Sequence, residues 1–96
     1  MIWTRKNGKR TTIGLSREIV NGNPVTFIEL LRVGTRLPRQ GALGLLQFER
    51  GHEAEIESPV AGKIVEVNAA VHCRERPAVL NDDPEGEGWL VVVEEE

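Results

Sequence analysis

The amino-acid sequence predicts an all-β domain, a sandwich or barrel of short strands. Two observations carry this expectation. Apolar runs rich in β-branched residues recur at residues 10–15, 25–31, 43–48, 64–67 and 89–93, each with the length of a strand rather than a helix. Between them Gly, Pro and Asn punctuate the chain, as in Asn7-Gly8, Asn23-Pro24, Gly34, Pro38, Gln40-Gly41, Ser58-Pro59 and Asn81-Asp82-Asp83-Pro84. Many short strands joined by tight turns build a sandwich or a barrel.

The elements follow in order. Residues 1–5 form a first strand with Trp3 facing in, and Trp3 and Trp89 can share one small core. Lys6-Asn7-Gly8-Lys9 is a hairpin turn, because Asn-Gly favours the positive φ values of type I′. Residues 10–15 are the return strand. Residues 16–20 are one helical turn, with Ser16 as N-cap and Gly22 as stop. Residues 25–31 are a strand, and Gly34 and Pro38 bracket the connection Thr35-Arg36-Leu37 before the strand at 43–48. In the last third, residues 69–76 are a polar connection and Pro77-Ala78-Val79-Leu80 leads into the turn at Asn81–Pro84. Glu85-Gly86-Glu87-Gly88 is flexible, residues 89–93 are a buried strand, and Glu94-Glu95-Glu96 is a solvated end.

The stretch Glu57-Ser58-Pro59-Val60-Ala61-Gly62-Lys63-Ile64-Val65-Glu66-Val67-Asn68 organises these parts, reading as a turn followed by a strand. Upstream of it, the strand at 43–48 ends in a polar segment, Glu49-Arg50-Gly51-His52-Glu53-Ala54-Glu55. Strand, polar tip, turn and strand make a hairpin that can present a side chain at its end.

Size and charge narrow the function. The chain of 96 residues is a single domain, residues 1–96, large enough to close a modest core. Its net charge of −3 argues against general nucleic-acid binding, which wants a basic surface. One cysteine, Cys73, excludes an intrachain disulfide and fits a reducing cytoplasm. No apolar run has the form of a signal peptide or the length of a membrane span, so no membrane association is expected.

Catalytic signatures are sparse. Ser16 and Ser58 lie in no nucleophile-elbow pattern and read as a cap and a turn residue. His72 and Cys73 are adjacent, and in an extended segment neighbours point to opposite faces, which works against a Cys–His nucleophile. His52, His72 and Cys73 lack close-paired metal spacing, so no metal is expected. Glu49, Glu53, Glu55 and Glu57 read as a solvated tip, and Gly86-Glu87-Gly88 lacks the lysine of a phosphate loop.

Several segments together resemble the H protein of the glycine cleavage system, a relative of lipoyl and biotinyl carrier domains. They are Ile2-Trp3-Thr4-Arg5, Thr12-Ile13-Gly14-Leu15-Ser16, Val25-Thr26-Phe27-Ile28-Glu29-Leu30 and Val33-Gly34, then Ser58 through Asn68 and Leu80 through Leu90. The resemblance runs from Trp3 to about Val93. It implies a barrel-sandwich hybrid of two small antiparallel sheets with at most a short helical turn. It also implies no enzyme but a carrier, whose hairpin-tip lysine bears lipoate and visits the active sites of glycine decarboxylase, aminomethyltransferase and dihydrolipoyl dehydrogenase.

The chain departs from that family at the tip. Counting back from Ser58-Pro59 puts the carrier position at Gly51, and aligning on Leu43-Gly44 puts it at Arg50; neither is lysine. Arginine stays protonated and is a poor acyl acceptor. The chain also ends just past the last expected strand, where the family usually continues into a helix, and Glu85 stands where the family usually has an aromatic residue. The leading expectation is therefore an H-protein-like domain without lipoate, a binding or assembly module for a protein partner such as an enzyme subunit. Its docking surface would be the tip, Phe48, Glu49, Arg50, Gly51, His52 and Glu53, with Phe48 either an interface anchor or a core residue. The alternative is a lipoyl carrier in glycine cleavage or a related pathway modified at an atypical residue, Lys63 being the lysine nearest the motif. A small thiol enzyme using His72 and Cys73 is the third reading.

Overall fold

Alternation of apolar and polar side chains along short strands gives each strand one face to bury, and two sheets close over the result. The computed structural model describes residues 2–72, 74–75 and 77–96, with residues 74–75 described by backbone alone. The elements are β1 (Ile2–Asn7), β2 (Arg10–Leu15), α1 (Arg17–Val20), β3 (Val25–Leu30), β4 (Arg36–Leu37) and β5 (Ala42–Phe48), followed by β6 (Glu53–Glu57), β7 (Gly62–Val67), β8 (Arg74–Glu75), α2 (Ala78–Asp82) and β9 (Val91–Glu95). One sheet has the order β1-β2-β9-β7-β4 and the other β6-β5-β3-β8, with antiparallel neighbours. Ile13, Leu15, Val91 and Val93 from the first sheet meet Ile28, Leu43, Leu46 and Ile56 from the second in one fully buried core. The all-β expectation holds.

The chain passes between the sheets on either side of the β5–β6 hairpin, from β4 to β5 and from β6 to β7, and the two passages are bonded together. The Ser58 N–H donates to the Gly41 carbonyl at 2.9 Å, and the Gln40 N–H donates to the Ser58 carbonyl at 2.7 Å. The Ser58 hydroxyl is fully buried; it donates to the Val60 carbonyl at 2.6 Å and accepts the Val60 N–H at 3.3 Å. Beyond it, Gly62 lets β7 lie close against β9, since a Cβ there would stand 2.8 Å from the Glu94 carbonyl carbon.

Two asparagines tie loops to strands. Asn68 donates to the carbonyls of Glu87 and Trp89 and accepts the Ala70 N–H. Asn81 accepts the N–H of Val25 at 2.8 Å and donates to its carbonyl at 3.0 Å.

Several local expectations are corrected. The first hairpin turns at Gly8-Lys9, because Asn7 pairs with Arg10; Gly8 has φ +64° and Lys9 does not have positive φ, which is a type II′ turn. Neither tryptophan enters the core. Trp3 lies over Gly14 with its Nε1 donating to the Pro84 carbonyl at 2.8 Å, and Trp89 lines an outer groove with Arg5, Thr12, Glu66 and Val92. The expected helical turn is α1, but the Ser16 side chain does not cap it; the Glu85 carboxylate accepts the Arg17 N–H at 2.9 Å. A second helical turn, α2, stands where a lead-in to a loop was expected. Residues 85–88 are held rather than loose: the Asp83 carbonyl accepts the N–H groups of Gly86 and Gly88, and its carboxylate accepts that of Glu87. The last strand starts two residues later than expected and extends to Glu95.

Glu95 is therefore a strand residue with partners. Lys6 donates to its carboxylate across 3.2 Å and Thr11 across 3.0 Å, and these hydrogen bonds, Lys6 first, hold its pKa below the ordinary glutamate range. A carboxyl with a depressed folded-state pKa stabilises the fold at neutral pH and loses that contribution as pH falls through the folded value. Glu95→Gln is thus expected to lower the thermal midpoint at pH 7 and to match the parent in strong acid; equal differences at both pH values would contradict this.

Ser58→Ala removes the buried hydroxyl and leaves the Val60 groups without that partner. A loss of about 1–3 kcal/mol is expected from urea unfolding. An unchanged midpoint would mean the corner is held by the backbone bonds alone.

Candidate functional site

The β5–β6 hairpin is a tight device. Gln47 pairs with Glu53 as the last strand pair. Beyond it the Gly51 N–H donates to the Phe48 carbonyl at 3.0 Å, and the Phe48 N–H donates to the His52 carbonyl at 2.9 Å. Gly51 has φ +86°. This is a type I turn over Phe48–Gly51 closed by a glycine bulge, a common way to end a hairpin. The turn's outer corners are Glu49 and Arg50. Their N–H groups are satisfied from the neighbouring loop: Glu49 donates to the Pro24 carbonyl at 2.9 Å and Arg50 to the Asn23 Oδ1 at 3.2 Å. The tip is therefore braced by the Asn23-Pro24 turn.

The predicted site residues divide accordingly. Glu49, Arg50, Gly51, His52 and Glu53 are exposed together at the tip. Phe48 is 9% exposed and belongs to the core cluster, so it is no surface anchor. A shallow groove beside the turn is lined by Thr26, Gln47, Phe48, Gly51, His52 and Glu53, with Gln47 Nε2 donating to Glu53 Oε1 at 3.2 Å. The tip offers a permanent cation, an imidazole and carboxylates, but no amine that can be acylated.

The lysines lie elsewhere. Lys63 is on β7, paired with Arg36 and Glu94 in the five-stranded sheet, whereas the tip belongs to the four-stranded one. Its side chain is exposed on a strand, not on a turn. Lys6 is bridged to Glu95. Lys9 occupies the outer corner of the β1–β2 turn.

The other chemical candidates do not converge. His72 Nδ1 accepts the Leu30 N–H at 3.3 Å, and Leu30 pairs with Gly44, whereas the tip end of β3 is Val25, which pairs with Phe48. His52 and His72 therefore mark opposite ends of β3, about 16 Å apart at strand rise. Cys73 lies outside the described residues, and among those described no three His, Cys, Asp or Glu side chains form a metal-binding group. No helix among them is long and apolar enough to cross a membrane.

Sequence reasoning missed the brace at Asn23-Pro24 and the role of Gly51. The signal for Gly51 was present: a glycine three residues after the last core residue of a strand is where this bulge requires positive φ. That φ sets Arg50 and Gly51 apart as places for a longer side chain. Lysine is compatible with Arg50's place in the turn but strained at Gly51. Gly51→Lys is expected to be less stable than Arg50→Lys by about 1–2 kcal/mol in chemical denaturation; equal stability would mean the turn rearranges freely.

Comparison with known proteins adds the ancestry. The family model Glycine cleavage H-protein matches residues 1–96. The glycine cleavage system H protein of Xylella fastidiosa is 31% identical over 94 residues, covering 96% of this chain and 70% of that protein. The H protein of Rubrobacter xylanophilus is 33% identical over 92 residues, covering 95% and 71%. The crystal structure of a glycine cleavage system H protein from Mycobacterium marinum superposes with a TM-score of 0.82 at 26% identity, covering 98% of this chain and 77% of that one.

Proposed function

Because this chain belongs to the glycine cleavage H-protein family, we propose that it uses the carrier fold as a docking module for a protein partner without bearing lipoate at its hairpin tip. Members of the family are carriers that work on enzyme components and are not themselves enzymes. The observation behind the reading is the tip: a braced, exposed turn whose outer residues are Glu49, Arg50 and Gly51, with no lysine between Lys9 and Lys63. Acylation needs a nitrogen that can lose its proton, and a guanidinium does not. The hairpin keeps the form that presents a group to an enzyme and lacks the atom that would carry it. The partner is an enzyme subunit or a glycine-cleavage-type component, met in the cytoplasm, and the exposed Arg50 and His52 are its contacts.

A second reading keeps the carrier role and moves the attachment point. Lys63 is poorly placed for it, on a strand of the other sheet. Lys9 is better placed, since it alone among the lysines sits on the outer corner of a hairpin turn.

A lipoate ligase supplied with lipoate and ATP separates these readings. The parent chain is expected to gain no mass, while Arg50→Lys gains one lipoyl group. Modification of the parent at Lys9 or Lys63 would replace the first reading by the second. For docking, Arg50→Glu combined with His52→Glu is expected to weaken binding to a purified glycine-cleavage component about tenfold, from loss of two exposed contacts and gain of like charge. Binding unchanged by both substitutions would remove the tip as the docking surface.

A further inference from the structure

The outer face of the four-stranded sheet carries an apolar groove between Glu29 of β3 and the carboxylates of β6. Cross-strand register puts Glu29, Leu45 and Glu55 directly opposite one another on β3, β5 and β6. Their strand neighbours Ile28 and Leu46 are fully buried, so the Glu29–Leu45–Glu55 row faces out. Leu31, Ala42 and Gly44 complete the groove. Leu31 is 40% exposed and Val33, two residues further, 60%; they are the large hydrophobic side chains that the described residues leave in solvent. Among the described residues neither Glu29 nor Glu55 has an ion-pair partner. On β6, Glu57, paired with Ala42, extends the acidic border along the sheet edge away from the tip.

We infer that this groove is a second docking surface, for an extended protein segment carrying an apolar side chain between two basic ones. An apolar floor with acids on both sides fits a cationic amphipathic segment and repels nucleic acid and anionic membrane surfaces. Glu29 and Glu55 stand two strand spacings apart, about 10 Å. In an extended segment, residues i, i+2 and i+4 share one side. A Lys-x-Leu-x-Lys pattern therefore sets its leucine on Leu31 and Leu45 and an ammonium near each carboxylate. The surface is separate from the hairpin tip, so the inference stands or falls independently of the tip's docking role.

The test is an NMR titration of the ¹⁵N-labelled chain with an acetylated, amidated Lys-Ser-Leu-Ser-Lys-Ser-Leu-Ser-Lys peptide and with its counterpart carrying Glu at each Lys. Amide shifts are expected at Glu29, Leu31, Leu45 and Glu55 with the basic peptide and not with the acidic one. Glu29→Gln with Glu55→Gln is expected to weaken binding about fivefold, the size of two exposed ion pairs, and Leu31→Ser to weaken it further without unfolding, since Leu31 is exposed. Arg50→Glu with His52→Glu leaves this binding unchanged. Shifts centred on the tip, affinity indifferent to Glu29 and Glu55, or recruitment of this face to phosphatidylserine vesicles would each overturn the proposal.

Discussion

The two passages that flank the β5–β6 hairpin, from β4 to β5 and from β6 to β7, meet at Ser58 and fix the hairpin's base. The paired backbone bonds of Ser58 with Gln40 and Gly41 join the start of β5 to the end of β6. A buried hydroxyl then turns the chain through Pro59 toward β7. With its base fixed at this corner and its tip braced by Asn23-Pro24, the β5–β6 hairpin is held at both ends. Such a lever presents a tip group in a defined place, which is what a docking or carrying function demands.

The geometry of the tip is independent of its chemistry. Its turn type, its glycine bulge and its brace are all backbone matters, indifferent to whether the outer residue is lysine or arginine. A lysine at the outer corner would end in an amine that can be acylated, where arginine ends in a guanidinium. That separation lets a chain with the fold of H proteins present a guanidinium at its tip. The acid-bordered groove on the outer sheet face likewise depends on side chains alone, laid out by the register of β3, β5 and β6.

What the sequence made legible was local. The short apolar runs at residues 10–15, 43–48 and 64–67 and the turn chemistry of Ser58-Pro59 were enough for the all-β class, and the family segments were enough for the sandwich. What it hid was set by partners far along the chain. Glu85 caps a helix 68 residues upstream, and the Asn81 side chain completes the edge of β3 at Val25; no periodicity announces either. Arg36-Leu37 is a strand only because β7 lies beside it. The shift of the first turn to Gly8-Lys9 follows from pairing Asn7 with Arg10, a choice of register that the Asn-Gly pair alone does not make. At the tip, the absence of lysine was plain in the sequence, whereas the brace from Asn23-Pro24 was not.

The measurement that bears most directly on this account is the intact mass of the protein isolated from its native cells under conditions that preserve amide-linked acyl groups. The account predicts the mass of the bare polypeptide. A lipoyl-sized increment would contradict it, and peptide mapping to Lys9 or Lys63 would then locate the carrier residue that the hairpin tip does not supply.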